Sequence, residues 1–70
     1  MDRIKVQSQA IVSAGWSKGT LELEMPNGNV YAYAGVPEQT FKAMLEAASV
    51  GKYYHANIKR YYIETSVGKG

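Results

Sequence analysis

A turn, a short strand and a helix start follow one another within residues 27–37, and this stretch constrains the fold more than any other part of the sequence. Asn27 and Gly28 both tolerate positive φ in a tight hairpin, and the proline that ends the stretch suits the first turn of a helix. Between them, Tyr31 and Tyr33 occupy alternate strand positions, so their rings point to the same face of a sheet. The pattern predicts a β-hairpin followed directly by an α-helix.

The rest of the chain is short and lacks covalent reinforcement. Seventy residues form one small, marginally stable domain, to which oligomerisation would add stability. There is no cysteine, which excludes disulfides and thiolate metal sites. No apolar stretch approaches the length of a signal peptide core or the roughly 20 residues that span a bilayer. We therefore expect a soluble, cytoplasmic protein without a membrane partner.

The net charge of +2 favours no particular partner, but its distribution is uneven. Residues 1–48 carry a formal charge of −1, and residues 49–70 carry +3. Any basic surface is therefore expected near the C-terminal end.

Three antiparallel strands are predicted before the helical part of the chain. Residues 8–16 contain few charges and suit a first strand that ends in a turn. Residues 21–25 alternate apolar and charged side chains, which is typical of a sheet covered on one side. With the strand at 29–34, they form a three-stranded meander.

The period then changes to that of helices. Apolar residues recur at helical spacing over 37–48, and Ser49 can cap a second helix that ends near Arg60. Residues 61–65 have strand propensity and form either a short fourth strand or an extended arm, whereas 66–70 resemble a frayed end. The predicted fold is α+β, a three-stranded meander followed by two helices packed on the sheet.

A set of short motifs resembles one known family. The chain carries Ile11, Leu21-Glu22-Leu23-Glu24, Asn27-Gly28, Tyr31-Ala32-Tyr33, Gly35-Val36-Pro37, Leu45, Ala48-Ser49, Gly51-Lys52-Tyr53-Tyr54 and Asn57-Ile58-Lys59. This pattern resembles the KTSC family, the lysyl-tRNA synthetase C-terminal domain. The resemblance gives an N-terminal extension over 1–7, the domain over 8–62 and a flexible C-terminal tail over 63–70.

The KTSC resemblance implies an RNA-binding function. The family occurs appended to some lysyl-tRNA synthetases and as stand-alone small proteins of bacteria and phages. This chain departs from the family pattern at Trp16-Ser17, where a Tyr-Asp pair is common, and at His55, where an Asn is common. Contacts that family members make through those positions are therefore not expected in this chain.

The paired tyrosines allow two interpretations. Tyr31 and Tyr33 on an open sheet face would stack nucleic-acid bases, each stack contributing about 1–3 kcal/mol. On a face covered by the helices they would be core residues with hydroxyls that reach partners at the rim. The face that the helices cover decides between them.

The segment 52–62 interleaves cations with aromatic rings and is the best candidate for a binding surface. Lys52, Lys59 and Arg60 are the expected phosphate contacts, and Tyr53 and Tyr62 join the tyrosine pair as stacking candidates. The alternative is a solvated helix exterior with Tyr54 and Ile58 turned inward.

The sequence favours binding over catalysis. His55 is the only histidine, without cysteine or acidic neighbours at helical spacing, so neither a metal nor acid–base catalysis is expected. The repeated Ser-Val-Gly-Lys at 49–52 and 66–69 lacks the glycine spacing of a nucleotide-binding loop. We expect no catalytic residue, no metal and no cofactor.

Two functions stay open at this point. The first is RNA or single-stranded nucleic-acid binding through the C-terminal basic and aromatic surface. The second is a phage-encoded adaptor or inhibitor that binds a host protein or a small nucleotide, with Trp16 and Tyr61 as interface candidates because aromatic residues are enriched among binding hot spots. For Trp16 the other interpretation is packing at the edge of the core.

Overall fold

The computed structural model describes residues 3–69, which form one antiparallel sheet and two helices. The elements are β1 (Ile4–Lys5), β2 (Ser13–Ser17), β3 (Thr20–Glu24), β4 (Asn29–Ala34), α1 (Glu38–Glu46), α2 (Val50–Asn57) and β5 (Glu64–Lys69). In this part of the chain the strand order is β1-β2-β3-β4-β5, so each strand pairs with its neighbour in sequence. The α+β prediction, with a meander followed by two helices, is confirmed.

The register of β3 and β4 brings leucines and tyrosines onto one face. Leu21 lies opposite Tyr33, and Leu23 lies opposite Tyr31. Directly opposed residues of an antiparallel pair point to the same side of the sheet. The hairpin between the strands has Gly28 at φ 88°, a conformation that glycine adopts without steric cost.

The two helices cover this leucine and tyrosine face. Met44 of α1 and Tyr54 of α2 are buried in one cluster with Leu21, Leu23 and Tyr33. The rings of Tyr33 and Tyr54 meet edge to face, with centroids 5.8 Å apart. Burying this apolar surface supplies most of the favourable free energy of folding in a domain of this size.

Both predicted helices form, and both are shorter than expected. The Ser49 hydroxyl accepts a hydrogen bond from the Lys52 backbone N–H at 3.3 Å, as the predicted cap requires. The second helix ends at Asn57 rather than near Arg60, because Ile58 leaves helical geometry with φ −122° and ψ −51°. Ile58 is itself fully buried, so the chain turns to place it in the core.

The ends of the chain are more ordered than the sequence predicts. The predicted extension over 1–7 contributes β1. The short strand that the sequence allows over 61–65 forms as β5, which starts at Glu64, continues through the predicted tail to Lys69 and pairs with β4. Met1, Asp2 and Gly70 lie outside the described residues. The first long strand starts at Ser13 rather than Ser8, although the preceding segment still bonds through Val12 N–H to the Glu24 carbonyl at 2.8 Å.

Trp16 lies at the edge of the core. Its indole Nε1–H donates to the Val36 carbonyl at 2.7 Å and links β2 to the loop before α1. The side chain is half-buried, which agrees with packing at the core edge. Within residues 3–69, neither α1 nor α2 combines the length and the apolar character of a membrane-spanning helix.

Candidate nucleic-acid interface

An open groove of about 730 Å³ lies between the N-terminal segment 4–10 and the region where α1 meets α2. Lys5, Lys52 and His55 line it, together with amide and hydroxyl side chains. None of its lining residues in the described chain carries a carboxylate. We call this feature the basic groove, because all of its ionisable side chains are basic.

Close packing at the start of α2 shapes the floor of the basic groove. A Cβ atom added to Gly51 would lie 2.8 Å from the Cβ of Ala10, closer than real Cβ atoms approach. The Ala10 backbone N–H is held by the Ser8 hydroxyl at 3.1 Å, which fixes the loop at this contact. Gly51 is therefore a close-packing position.

A second, smaller pocket of about 250 Å³ lies where the end of α2 faces β4 and β5. We call it the tyrosine pocket. It is lined by Ala10, Met25, Tyr31, Tyr54, His55, Lys59 and Glu64. His55 lines both features, so the tyrosine pocket adjoins the basic groove.

Three basic side chains of α2 and the turn after it border these two features. Lys52 and His55 are three positions apart on α2 and so lie along one side of the helix, and Lys59 follows in the turn, where its backbone N–H donates to the Tyr54 carbonyl at 3.0 Å. Lys52 lines the basic groove, His55 lines both features, and Lys59 lines the tyrosine pocket. The His55 ring lies edge to face on Tyr54, with centroids 5.1 Å apart.

A chain of hydrogen bonds runs beneath the tyrosine pocket. The Tyr33 hydroxyl donates to Glu64 Oε2 at 2.6 Å and also bonds to the Tyr54 hydroxyl. A phenol has one proton to donate, so the Tyr54 hydroxyl donates to the oxygen of Tyr33. The series of hydrogen bonds therefore runs from the Tyr54 hydroxyl on α2, through the Tyr33 hydroxyl on β4, to the carboxylate of Glu64 on β5.

Both phenols in this chain are held in the neutral form. Burial raises the pKa of Tyr33 far above its usual range, and the hydrogen bond to Glu64 raises this pKa further. Burial is also the main cause that raises the pKa of Tyr54, with the charge of Glu64 acting in the same direction. The two hydroxyls consequently stay protonated donors at neutral pH.

The structure places the three predicted phosphate contacts at separate positions on the surface. Lys52, Lys59 and Arg60 are exposed, and the first two border the basic groove and the tyrosine pocket. Arg60 lies outside both features. The basic residues of the predicted segment therefore do not converge on one spot.

The predicted aromatic residues differ in exposure. Tyr33 has 0% of its surface exposed, so its ring has no face free for a base, and it is a core residue rather than a stacking residue. Tyr31 is half-buried and lines the tyrosine pocket. Tyr53 and Tyr62 are half-buried against the core, whereas Tyr61 is 70% exposed.

Sequence reasoning missed three residues that the structure places at these features. Lys5 comes from the segment interpreted as an extension, and Glu64 comes from the segment interpreted as a tail. For Tyr54 the sequence predicts only an inward-facing helix residue. The spacing of Tyr54 and Ile58 signals its burial, but no local pattern indicates that its hydroxyl meets Tyr33, which is 21 positions away.

The described residues offer no grouping suited to a metal ion. Within residues 3–69, no three histidine or acidic side chains come close enough to share one. His55 is exposed, and its ring neighbour is the phenol of Tyr54. The ligand chemistry of this surface is that of ammonium, imidazole and phenol groups, with the carboxylate of Glu64 in the tyrosine pocket.

Comparisons with known proteins agree with this architecture. The chain is 34% identical over 61 residues to an uncharacterized protein of Stutzerimonas stutzeri, covering 84% of this chain and 86% of that protein. The crystal structure of a KTSC domain protein from Yersinia pestis superposes with a TM-score of 0.90 at 29% identity, covering 96% of this chain and 97% of the other. The family model described as the KTSC domain matches residues 7–62. The chain therefore belongs to the KTSC domain family.

Proposed function

We propose that this protein is a non-catalytic module that binds single-stranded nucleic acid, RNA in particular, along the basic groove. The observation that carries the proposal is the lining of that groove, where Lys5, Lys52 and His55 converge without a carboxylate among the described lining residues. Ammonium and imidazole N–H groups are donors to phosphate oxygens, and phosphate contacts dominate the affinity of nucleic-acid binding.

The polar side chains of the groove suit a sugar–phosphate backbone. Gln7, Gln9 and Ser49 line the same groove and can bond to phosphate or to the ribose 2′-hydroxyl. The groove is open, which allows a strand to enter from the side instead of requiring a free end.

The charges around the groove also favour the binding of an anion. Within residues 3–69, Arg3 and Glu22 form an ion pair, with 2.6 Å between Nη1 and Oε1. In this range no carboxylate lies within 4 Å of the ammonium groups of Lys5, Lys52 or Lys59. Their charges therefore remain available to an incoming anion.

The number of cations sets the expected salt dependence. Three to four neutralised phosphates on a single strand correspond to a slope of log K against log salt of about −2 to −3. Binding is expected to be of micromolar order at low salt and to weaken steeply as salt rises.

The test is a fluorescence anisotropy titration of a labelled, mixed-sequence single-stranded RNA. The variant Lys52→Glu/Lys59→Glu reverses two charges that border the groove and the adjoining pocket, and its affinity is expected to fall at least tenfold. Lys18→Glu/Lys42→Glu makes the same change of charge at exposed positions outside both features and serves as the matched control. Equal affinities of the two variants would overturn the proposal.

A separate variant examines the predicted contact that lies outside the groove. Lys59→Glu/Arg60→Glu tests whether the exposed Arg60 extends the bound path beyond the tyrosine pocket. A larger loss than that of Lys59→Glu alone assigns Arg60 to the surface, and an equal loss removes it.

A second candidate function is that of an adaptor or inhibitor that binds a protein. It is favoured by the exposure of Tyr61, Ile63 and Val67, which are 70%, 78% and 57% exposed in and just before the edge strand β5. Exposed apolar side chains beside an unpaired strand edge are features of protein interfaces. This candidate predicts a partner that stays bound at salt concentrations that remove nucleic acid and that is lost in Tyr61→Ser/Ile63→Ser.

A further inference from the structure

We infer that the tyrosine pocket takes one nucleobase of the bound strand and that it selects guanine, through the carboxylate of Glu64. This inference rests on the proposed function, since the pocket adjoins the basic groove at His55. The pocket brings together two tyrosine side chains, a thioether, two basic side chains and a carboxylate within about 250 Å³.

The apolar part of the pocket suits the flat face of a base. Tyr31 and Met25 both line it, and both pack partly against the core, which restrains their movement. Stacking on an aromatic ring stabilises any base, because every base presents a π-face. This contact therefore explains how a base is held without explaining which base is preferred.

The basic side chains of the pocket suit the phosphate of the same nucleotide. Lys59 and His55 both line the pocket, and His55 continues into the groove. A strand that follows the groove would consequently bring its phosphate to these donors when one base turns into the pocket.

The carboxylate of Glu64 discriminates guanine from uracil. An ionised carboxylate only accepts hydrogen bonds and has about four acceptor positions, of which the Tyr33 hydroxyl occupies one on Oε2. Guanine carries two adjacent N–H donors on its Watson–Crick edge, N1–H and N2–H, which match the two oxygens of a carboxylate. Uracil presents one N–H between two carbonyl oxygens, which the carboxylate repels.

The buried phenols orient that carboxylate. Because Tyr54 donates to Tyr33 and Tyr33 donates to Glu64, Oε2 is tied to the core. A held acceptor loses less conformational freedom on binding than a mobile surface side chain.

The experiment compares two labelled RNA octamers by anisotropy, one of uracil only and one with a single central guanine. The expected result is about tenfold tighter binding of the guanine octamer, as one well-placed bidentate base contact provides. In Glu64→Gln, whose amide oxygen still accepts from Tyr33, the ratio of the two affinities is expected to fall to about one. Glu38→Gln makes the same chemical change on the exposed start of α1 and should keep the tenfold ratio.

The outcomes separate the inference from the proposed function. Equal affinities of the wild-type protein for the two octamers leave RNA binding standing and overturn the guanine pocket. A tenfold ratio that persists in Glu64→Gln overturns the role of Glu64. Binding of neither octamer overturns the proposed function and the inference with it. If Glu64→Gln does not fold, Tyr31→Leu gives a second test. Guanine seated in the pocket loses its stacking contact in this variant, whereas uracil, which Glu64 repels from the pocket, has none to lose, so the ratio is expected to fall and an unchanged ratio would exclude the pocket.

Discussion

The hydroxyl of Tyr33 donates to Glu64 across the β4–β5 pair at 2.6 Å, although the two residues are 31 positions apart in the sequence. Tyr33 is fully buried and Glu64 is exposed, so the bond joins the core to the rim of the tyrosine pocket. The same hydroxyl bonds to Tyr54 of α2. One phenol thus connects β4, β5 and α2.

Removing that phenol oxygen should destabilise the fold. In Tyr33→Phe, the Tyr54 hydroxyl loses its acceptor inside the core, and an unsatisfied buried polar group costs about 1–3 kcal/mol. Tyr54→Phe should cost less, because Tyr33 keeps its bond to Glu64. The free energy of unfolding, measured by urea denaturation, checks this order, with the exposed Tyr61→Phe as control. A Tyr33→Phe variant as stable as the control would contradict it.

The raised pKa values of Tyr33 and Tyr54 predict a loss of stability at alkaline pH. Below pH of about 10, the ordinary tyrosine pKa, both phenols are protonated in the folded and unfolded chains, and their contribution to stability is fully present. Above it, the unfolded chain loses these protons while the folded chain keeps them. The free energy of unfolding therefore falls as pH rises from about 10 toward the folded pKa values, by up to about 1.4 kcal/mol per pH unit for each tyrosine.

Urea denaturation from pH of about 8 to about 11 measures this dependence. The variant Tyr33→Phe/Tyr54→Phe, which has neither group, should show a shallower decline above pH of about 10 than the wild-type protein. The same slope in both proteins would mean that other groups cause the decline.

The contact between Gly51 and Ala10 predicts an unusual response to alanine. Gly51→Ala should improve helix propensity by up to about 1 kcal/mol, yet its Cβ would lie 2.8 Å from that of Ala10. Overpacking of this kind costs about 1–3 kcal/mol, so the net effect is a loss of stability. The double variant Gly51→Ala/Ala10→Gly removes the clash and should recover most of that loss in thermal or urea denaturation. No loss in the single variant would show that the N-terminal segment moves freely away from α2.

Much of the fold can be predicted from local sequence patterns. The candidate site cannot, because it depends on how distant segments pack together. The alternation of Leu21 and Leu23 with charged residues and the Asn27-Gly28 pair predict the central hairpin correctly, because the side-chain period and turn geometry are local properties. The shared face of Tyr31 and Tyr33 also follows from the period of two. Which face the helices cover depends on tertiary packing, and no spacing along β4 contains that information.

The two terminal strands are the least predictable part of the sheet, because the sequence allows only a short strand over 61–65 where β5 forms and gives no sign of β1. The sequence of β5 carries serine, threonine and glycine, which give a weak strand signal, and its pairing with β4 includes a register shift between Val30 and Tyr31. β1 has two residues and no period to detect. Both strands form because β2 and β4 offer open edges to them, and both bring ionisable residues to the candidate site. Lys5 and Glu64 are therefore visible only once the sheet is assembled.

The proposed function predicts a defined salt dependence. Affinity for single-stranded RNA should fall with a log–log slope of about −2 to −3, and Lys52→Glu should reduce the magnitude of the slope by about 0.7 because it removes one phosphate contact. Anisotropy titrations at four or more salt concentrations measure both slopes. A wild-type slope near zero would mean that binding does not depend on these cations.

A two-dimensional 1H–15N NMR titration with a short single-stranded RNA tests directly whether RNA lies in the basic groove. RNA in the groove should change the chemical shifts mainly of residues 4–10 and 48–60 and leave the exposed face of α1 around Lys42 unchanged. Changes confined to the β5 edge around Ile63 and Val67, or no changes at low salt, would contradict it.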